Sequence, residues 1–127
     1  MASRVVTRRY DRALAPVGLR TNDYSILVRL AQEGSLPLGA LAARLAMDRT
    51  TLSREVAPLI AAGLLETSTG ERDARVRLLS LSAAGSARLT AARPLWAGAQ
   101  ASLSEEFGSA RTGALIGELH ALFGAGS

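Results

Sequence analysis

Two clusters in the sequence carry side chains suited to specific chemistry. The first is Arg49-Thr50-Thr51-Leu52-Ser53-Arg54, where guanidinium forks and hydroxyls crowd together just after Asp48. The second is Arg72-Asp73-Ala74-Arg75-Val76-Arg77, where arginines surround a single carboxylate. An arginine fork offers paired donors that match phosphate oxygens or the edge of a guanine, and hydroxyls can reach either bases or phosphates. Catalytic chemistry has much less to stand on. No Gly-rich phosphate loop follows a strand, no nucleophile has an evident base, and no His/Cys cluster exists in a chain with one His and no Cys. No catalytic residue, metal ligand or cofactor is therefore assigned.

Those two clusters need elements to hold them. Val5, Val6, Tyr10 and Leu14 mark one side of a first helix that ends near Pro16 and Gly18. Thr21 or Asn22 can cap a second, with Ile26, Leu27, Leu30 and Ala31 on one face and Gly34 as its stop. A short third helix after Pro37 carries Leu38, Leu41, Ala42 and Leu45. Asp48 caps a fourth, with the apolar stripe Leu52, Val56, Leu59 and Ile60 and a closing Gly63. Leu64–Thr67 and Val76–Leu81 read as two short strands around a polar turn, a small hairpin. Ser82 caps a long helical region to about Phe107, and Ser109 opens a last helix with Leu115, Ile116, Leu119, Leu122 and Phe123 on one side. Pro58 is expected to kink the fourth helix, and Pro94 to bend or interrupt the long one.

The whole has 127 residues, 48% hydrophobic and 20% charged, which suits one domain. With one Trp, two Tyr and two Phe, its core must come from Leu, Ala, Val and Ile, which favours packed helices. The fold class is mainly α with a small β-hairpin wing. Net charge is +4, and all 15 basic residues are Arg, a mild pointer to a polyanionic partner. No apolar run is long enough for a membrane helix, and the chain reads as cytoplasmic.

Two short helices at a tight turn followed by a hairpin form a winged helix-turn-helix, whose second helix presents its N-terminal residues to the major groove. With Leu52, Val56, Leu59 and Ile60 on the core, Thr50, Arg54, Ala57 and Ala61 face away, and Thr51 and Ser53 flank them. The same residues are compatible with a solvated helix start in which Arg54 pairs with a nearby carboxylate.

The chain resembles the multiple-antibiotic-resistance regulator (MarR) family of bacterial transcription factors. The resemblance runs through Leu41–Leu45, Asp48–Arg54 and Pro58–Leu65, and through Gly70–Gly85, which matches the family's wing motif and the L-[ST]-x-x-G that follows it. The family's first wing acid is replaced here by Gly70. The resemblance implies a DNA-binding transcriptional regulator, a repressor acting as a homodimer on a pseudo-palindromic double-stranded operator. Arg49, Thr50, Thr51, Ser53 and Arg54 would belong to the recognition helix. Asp73 and Arg75 would form the wing-tip pair, with Arg75 in the minor groove, and Arg72 and Arg77 would contact phosphate or groove beside it. Residues 1–20 and 83–127 would intertwine with a second copy, leaving 21–82 as the DNA-binding lobe. Related regulators often bind a small anionic or phenolic effector between the dimer and DNA-binding lobes, for which Arg20, Tyr24 and Trp96 are the candidates here; the ordinary reading of Tyr24 and Trp96, in an aromatic-poor chain, is core packing. The alternative is a winged dimer that binds protein or RNA and has no operator of its own; its mark would be a neutral or acidic recognition helix and a degenerate wing.

Overall fold

The computed structural model describes residues 4–107. Helix α1 spans Arg4–Leu14 and ends in a 3-10 turn over Ala15–Val17. Pro16 fixes that turn, and Gly18 leaves it in the left-handed region at φ 71°. Then follow α2 (Thr21–Glu33), β1 (Leu36–Pro37), α3 (Leu38–Leu45), α4 (Arg49–Ala61), β2 (Leu65–Thr69), β3 (Arg77–Leu81) and α5 (Ala83–Phe107). Apart from β1 and the 3-10 turn, the order and type of these elements follow the sequence reading. The expected last helix from Ser109 lies outside the described residues.

The hairpin proves to be two-thirds of a sheet. Leu36 and Pro37 pair antiparallel with Leu79 and Leu78, giving the strand order β1-β3-β2. Two residues beside a proline carry no strand periodicity, so only the arrival of β3 defines β1 as a strand. In the hairpin, Leu65 faces Leu81, Thr67 faces Leu79 and Thr69 faces Arg77.

Apolar stripes explain the packing. Val6, Tyr10 and Leu14 recur every fourth residue of α1 and are buried. They meet a stripe on α5 made of Leu89, Ala92, Trp96, Ala99 and Leu103. Thus the buried stripes of α1 and α5 cover one another. Trp96 lies between Tyr10 and Tyr24, with ring centroids 3.8 Å and 4.4 Å away. Such stacked pairs contribute about 0.5–1.5 kcal/mol each beyond area burial. Burial also pushes the Tyr10 phenol up to about 12.

Some stripe assignments fail. Val5 is 53% exposed and Ile60 37% exposed. Ala31 is exposed as well. Each lies at the margin of its apolar arc, where the wheel angle alone cannot tell whether a neighbouring element arrives to cover it. Neither internal proline stops its helix: α4 continues through Pro58, and α5 runs unbroken through Pro94. Both prolines are exposed, on the outer face of their helices.

The cap of α2 also differs from expectation. Arg20 is the N-cap and Thr21 the first helical residue. The Asp23 carboxylate accepts from the Arg20 backbone N–H at 2.8 Å. Asp11, from α1, accepts from both the backbone N–H and the hydroxyl of Thr21, each at 2.6 Å. Burial raises the Asp23 carboxyl above its ordinary range, with the Arg20 backbone hydrogen bond and the Arg20 charge opposing that rise.

Candidate nucleic-acid interface

The turn between α3 and α4 is closed by Ala46, a non-glycine residue at φ 54°. Its N–H donates to Ala43 O at 3.3 Å, and that of Met47 to Ala42 O at 3.0 Å, which satisfies the end of α3. A Cβ in this region is unfavourable, so Ala46→Gly is expected to raise stability by about 0.5–1 kcal/mol. A rise of a few degrees in the thermal midpoint checks it.

Helix α4 begins as its sequence dictates. The Asp48 side chain accepts from the Thr51 backbone N–H at 2.8 Å and from its hydroxyl at 2.7 Å. Those bonds hold the Asp48 carboxyl below the usual range. The Thr51 hydroxyl proton is therefore used in the cap, and Thr51 is left only as an acceptor. Leu52, Val56 and Leu59 are buried, which turns Thr50, Ser53, Arg54, Ala57 and Ala61 outward. Among the described residues no carboxylate forms an ion pair with Arg54. The Arg49 guanidinium lies over the start of α3, where a Cβ on Gly39 would sit 3.6 Å from its Cζ.

The wing is built around a backbone turn. Gly70 N–H donates to Val76 O at 2.9 Å, and Val76 N–H to Asp73 O at 3.1 Å. At its tip Asp73 Oδ1 accepts from the Arg75 backbone N–H at 3.0 Å and from Arg75 Nε at 3.2 Å. The second carboxylate oxygen lies 3.4 Å from Arg75 Nη2. The carboxylate thus grips one edge of the guanidinium while the Arg75 side chain stays 92% exposed. Arg72 and Arg77 are exposed beside it. Gly70, where the family's acid is missing, has a local reason: a Cβ there would stand 3.0 Å from the Asp73 carbonyl oxygen and 3.4 Å from Val76 Cβ. The strand–turn geometry of this wing leaves little room for a side chain at position 70.

Among the described residues the three effector candidates do not line a common cavity. Tyr24 and Trp96 are 2% and 3% exposed, stacked in the core. Arg20 is outside it and donates to Glu55 Oε2 at 2.9 Å. Glu55, on the flank of the α4 surface that carries Arg54, was not singled out in the sequence. No motif marks it, because its partners come from residues 20 and 22. Among the described residues no group of carboxylates, His or Cys could hold a metal ion, and no helix is long and apolar enough to cross a membrane.

A tight two-helix turn, an outward polar face on the second helix and a projecting arginine-bearing hairpin together define a winged helix-turn-helix protein. The MarR family model matches residues 19–76. Among solved structures, the M. tuberculosis transcriptional regulator MosR in complex with DNA is 36% identical, with 91% of this chain and 85% of that chain covered and a TM-score of 0.76. The transcriptional repressor CouR bound to a 23-mer DNA duplex is 26% identical, covering 91% and 82% of the two chains, with a TM-score of 0.81. A mutant of E. coli MarR complexed with operator DNA is 19% identical and shares the fold, with coverages of 91% and 83% and a TM-score of 0.79. No curated protein sequence matches the chain. The chain belongs to the MarR family of winged-helix transcriptional regulators.

Proposed function

We propose that this chain binds operator DNA as a homodimer and represses transcription, with α4 in the major groove and the β2–β3 wing over the minor groove. Residues 21–82 form the reading lobe, and residues 1–20 with 83–127 the dimerisation region. The observation that carries this reading is the outward set Thr50, Ser53 and Arg54 on α4, paired with Arg72, Arg75 and Arg77 on the wing. The first set offers donors to base edges, and the second offers charge to a narrow groove. A neutral or acidic helix, the mark of a protein- or RNA-binding alternative, is not what α4 presents. The similar regulators MosR and CouR were solved on DNA, which supports the same partner here. Two-fold pairing would set two α4 helices on half-sites about one helical turn apart. A small anionic or phenolic effector would act by favouring a lobe spacing that fits the operator poorly.

The test is binding of the purified protein to its own upstream intergenic duplex and to a scrambled duplex, at two salt concentrations. Preference for the first that persists at the higher salt is expected; equal, salt-sensitive binding to both overturns the reading. In a selection from a random duplex pool, Arg54→Ala is expected to flatten the preference at one base position, by ~1–3 kcal/mol for a bidentate contact. An unchanged preference removes Arg54 from base reading.

A further inference from the structure

The orientation of α4 is set on its buried side by Leu52, Val56 and Leu59. On its flank, among the described residues, the Glu55 carboxylate joins it to the start of α2. Glu55, directly after Arg54, uses both carboxylate oxygens: Oε2 accepts from Arg20 Nη2 at 2.9 Å, and Oε1 faces Asn22 Nδ2 at 3.4 Å. Arg20 is the N-cap of α2 and lies 3.8 Å from Asp23 through its Nε. The next residue, Thr21, is held by Asp11 of α1. A continuous polar path therefore runs from α1 through the start of α2 to the flank of α4.

Magnitude decides what this path is for. The Arg20 side chain is 64% exposed, so screening leaves the Arg20–Glu55 pair little to contribute to folding. A two-pronged grip on a helix flank does constrain the helix's rotation and tilt, because both oxygens of one carboxylate are committed to neighbouring residues. A recognition helix also needs angular accuracy, since a base contact requires aligned donors within hydrogen-bond distance.

We propose that Glu55 and Arg20 are positioning residues for sequence reading, fixing α4 relative to α1 so that Arg54 and its neighbours meet the bases of both half-sites in register. This rests on the reading of α4 as the base-contacting helix. Specific binding depends on the pair; non-specific attraction to phosphate does not. A carboxylate beside a DNA-facing helix would otherwise only repel the duplex. The grip on Arg20 and Asn22 gives the carboxylate beside Arg54 another role.

The experiment is a double-mutant cycle of Glu55→Gln, Arg20→Met and both together, on the full-length protein. The probes are the duplex recovered by selection from a random pool and a scrambled duplex of the same length. Each single variant is expected to lower the ratio of specific to non-specific affinity about tenfold. The double variant should lose no more than either single one, and thermal midpoints should stay within a degree or two. A Glu55→Gln protein that binds both duplexes more tightly by the same factor would show the carboxylate to be simple repulsion. An Arg20→Met protein that loses both equally, with a shallower salt slope, would make Arg20 a phosphate contact; either result, or additive losses in the double variant, overturns the proposal. Failure of the reading of α4 itself is distinguishable, because then Arg54→Ala also leaves the selected sequence unchanged.

Discussion

Replacing Gly85 by alanine is expected to destabilise the fold by about 3 kcal/mol or more, at the upper end of what overpacking costs. Gly85 is the third residue of α5, and a Cβ there would stand 2.0 Å from the Leu64 carbonyl oxygen and 3.0 Å from the Leu64 carbonyl carbon. Both obstacles are backbone, so no side-chain rotation relieves them. Nor can the backbone move cheaply. Leu64 O accepts from Ser82 N–H at 3.1 Å, and Leu64 N–H donates to Leu59 O at 2.9 Å. The Ser82 hydroxyl donates to Gly63 O at 2.5 Å and accepts from Gly85 N–H at 3.0 Å, so the start of α5 is stitched to the start of β2. Separating them would break the cap of α5 together with the seat of the wing. Gly98→Ala in the same helix is the control: nothing lies within 4 Å of its Cβ position, and it should stabilise by up to about 1 kcal/mol. Thermal or urea unfolding of the two variants checks the pair. Equal midpoints for Gly85→Ala and wild type would show that this contact is not made.

On the proposed reading, Arg75→Ala is expected to weaken operator binding about 100-fold, since a homodimer would lose a minor-groove arginine from each wing at a cost of ~1–2 kcal/mol apiece. The slope of log affinity against log salt should become shallower by about 2, one for each lost cation. Asp73→Asn separates charge from orientation. It keeps Arg75 but removes the carboxylate that accepts from its backbone N–H and its Nε. The expected result is a smaller loss of affinity without a shallower slope. Unchanged affinity and slope in Arg75→Ala would dismiss the wing as a groove contact.

The pH dependence of the wing follows in sign. Hydrogen bonds from the Arg75 guanidinium, and then from its backbone N–H, hold the Asp73 carboxyl below its ordinary value. A depressed carboxyl keeps its partner throughout the range above the unfolded value and releases it only as pH falls through the folded one. The grip on Arg75 is therefore expected to be constant around neutrality and lost only in acid. Operator titrations from neutral to mildly acidic pH, with Asp73→Asn as the reference, are expected to show no loss of the Asp73 contribution; a loss within that range overturns the sign.

Much of this was legible because the chemistry is local. Asp48 three residues before Thr51, Asp73 two before Arg75, and Ser82 three before Gly85 are contacts a chain makes with itself within a turn or two. Their residue types announce them. The stripe Leu52, Val56 and Leu59 likewise fixed which side of α4 looks outward, and with it the exposure of Thr50 and Arg54. Ile60 and Ala31 were misplaced for the converse reason: periodicity gives an angle on the helix, and the width of the covered arc depends on what packs there.

The order of the described helices, the hairpin, the caps of α4 and α5 and the two arginine-bearing clusters were legible along the chain, because each is encoded within a few consecutive residues. Leu36–Pro37 becomes a strand only through pairing with Leu78 and Leu79 of β3. Core packing of Tyr24 and Trp96 is already the ordinary reading of an aromatic-poor chain; their stacking and the grip of Arg20 on Glu55 come from the tertiary structure. Residues 20 and 55 are brought together by the packing of α2 against α4. No spacing along the chain can show a contact whose partners are set by the burial of other residues.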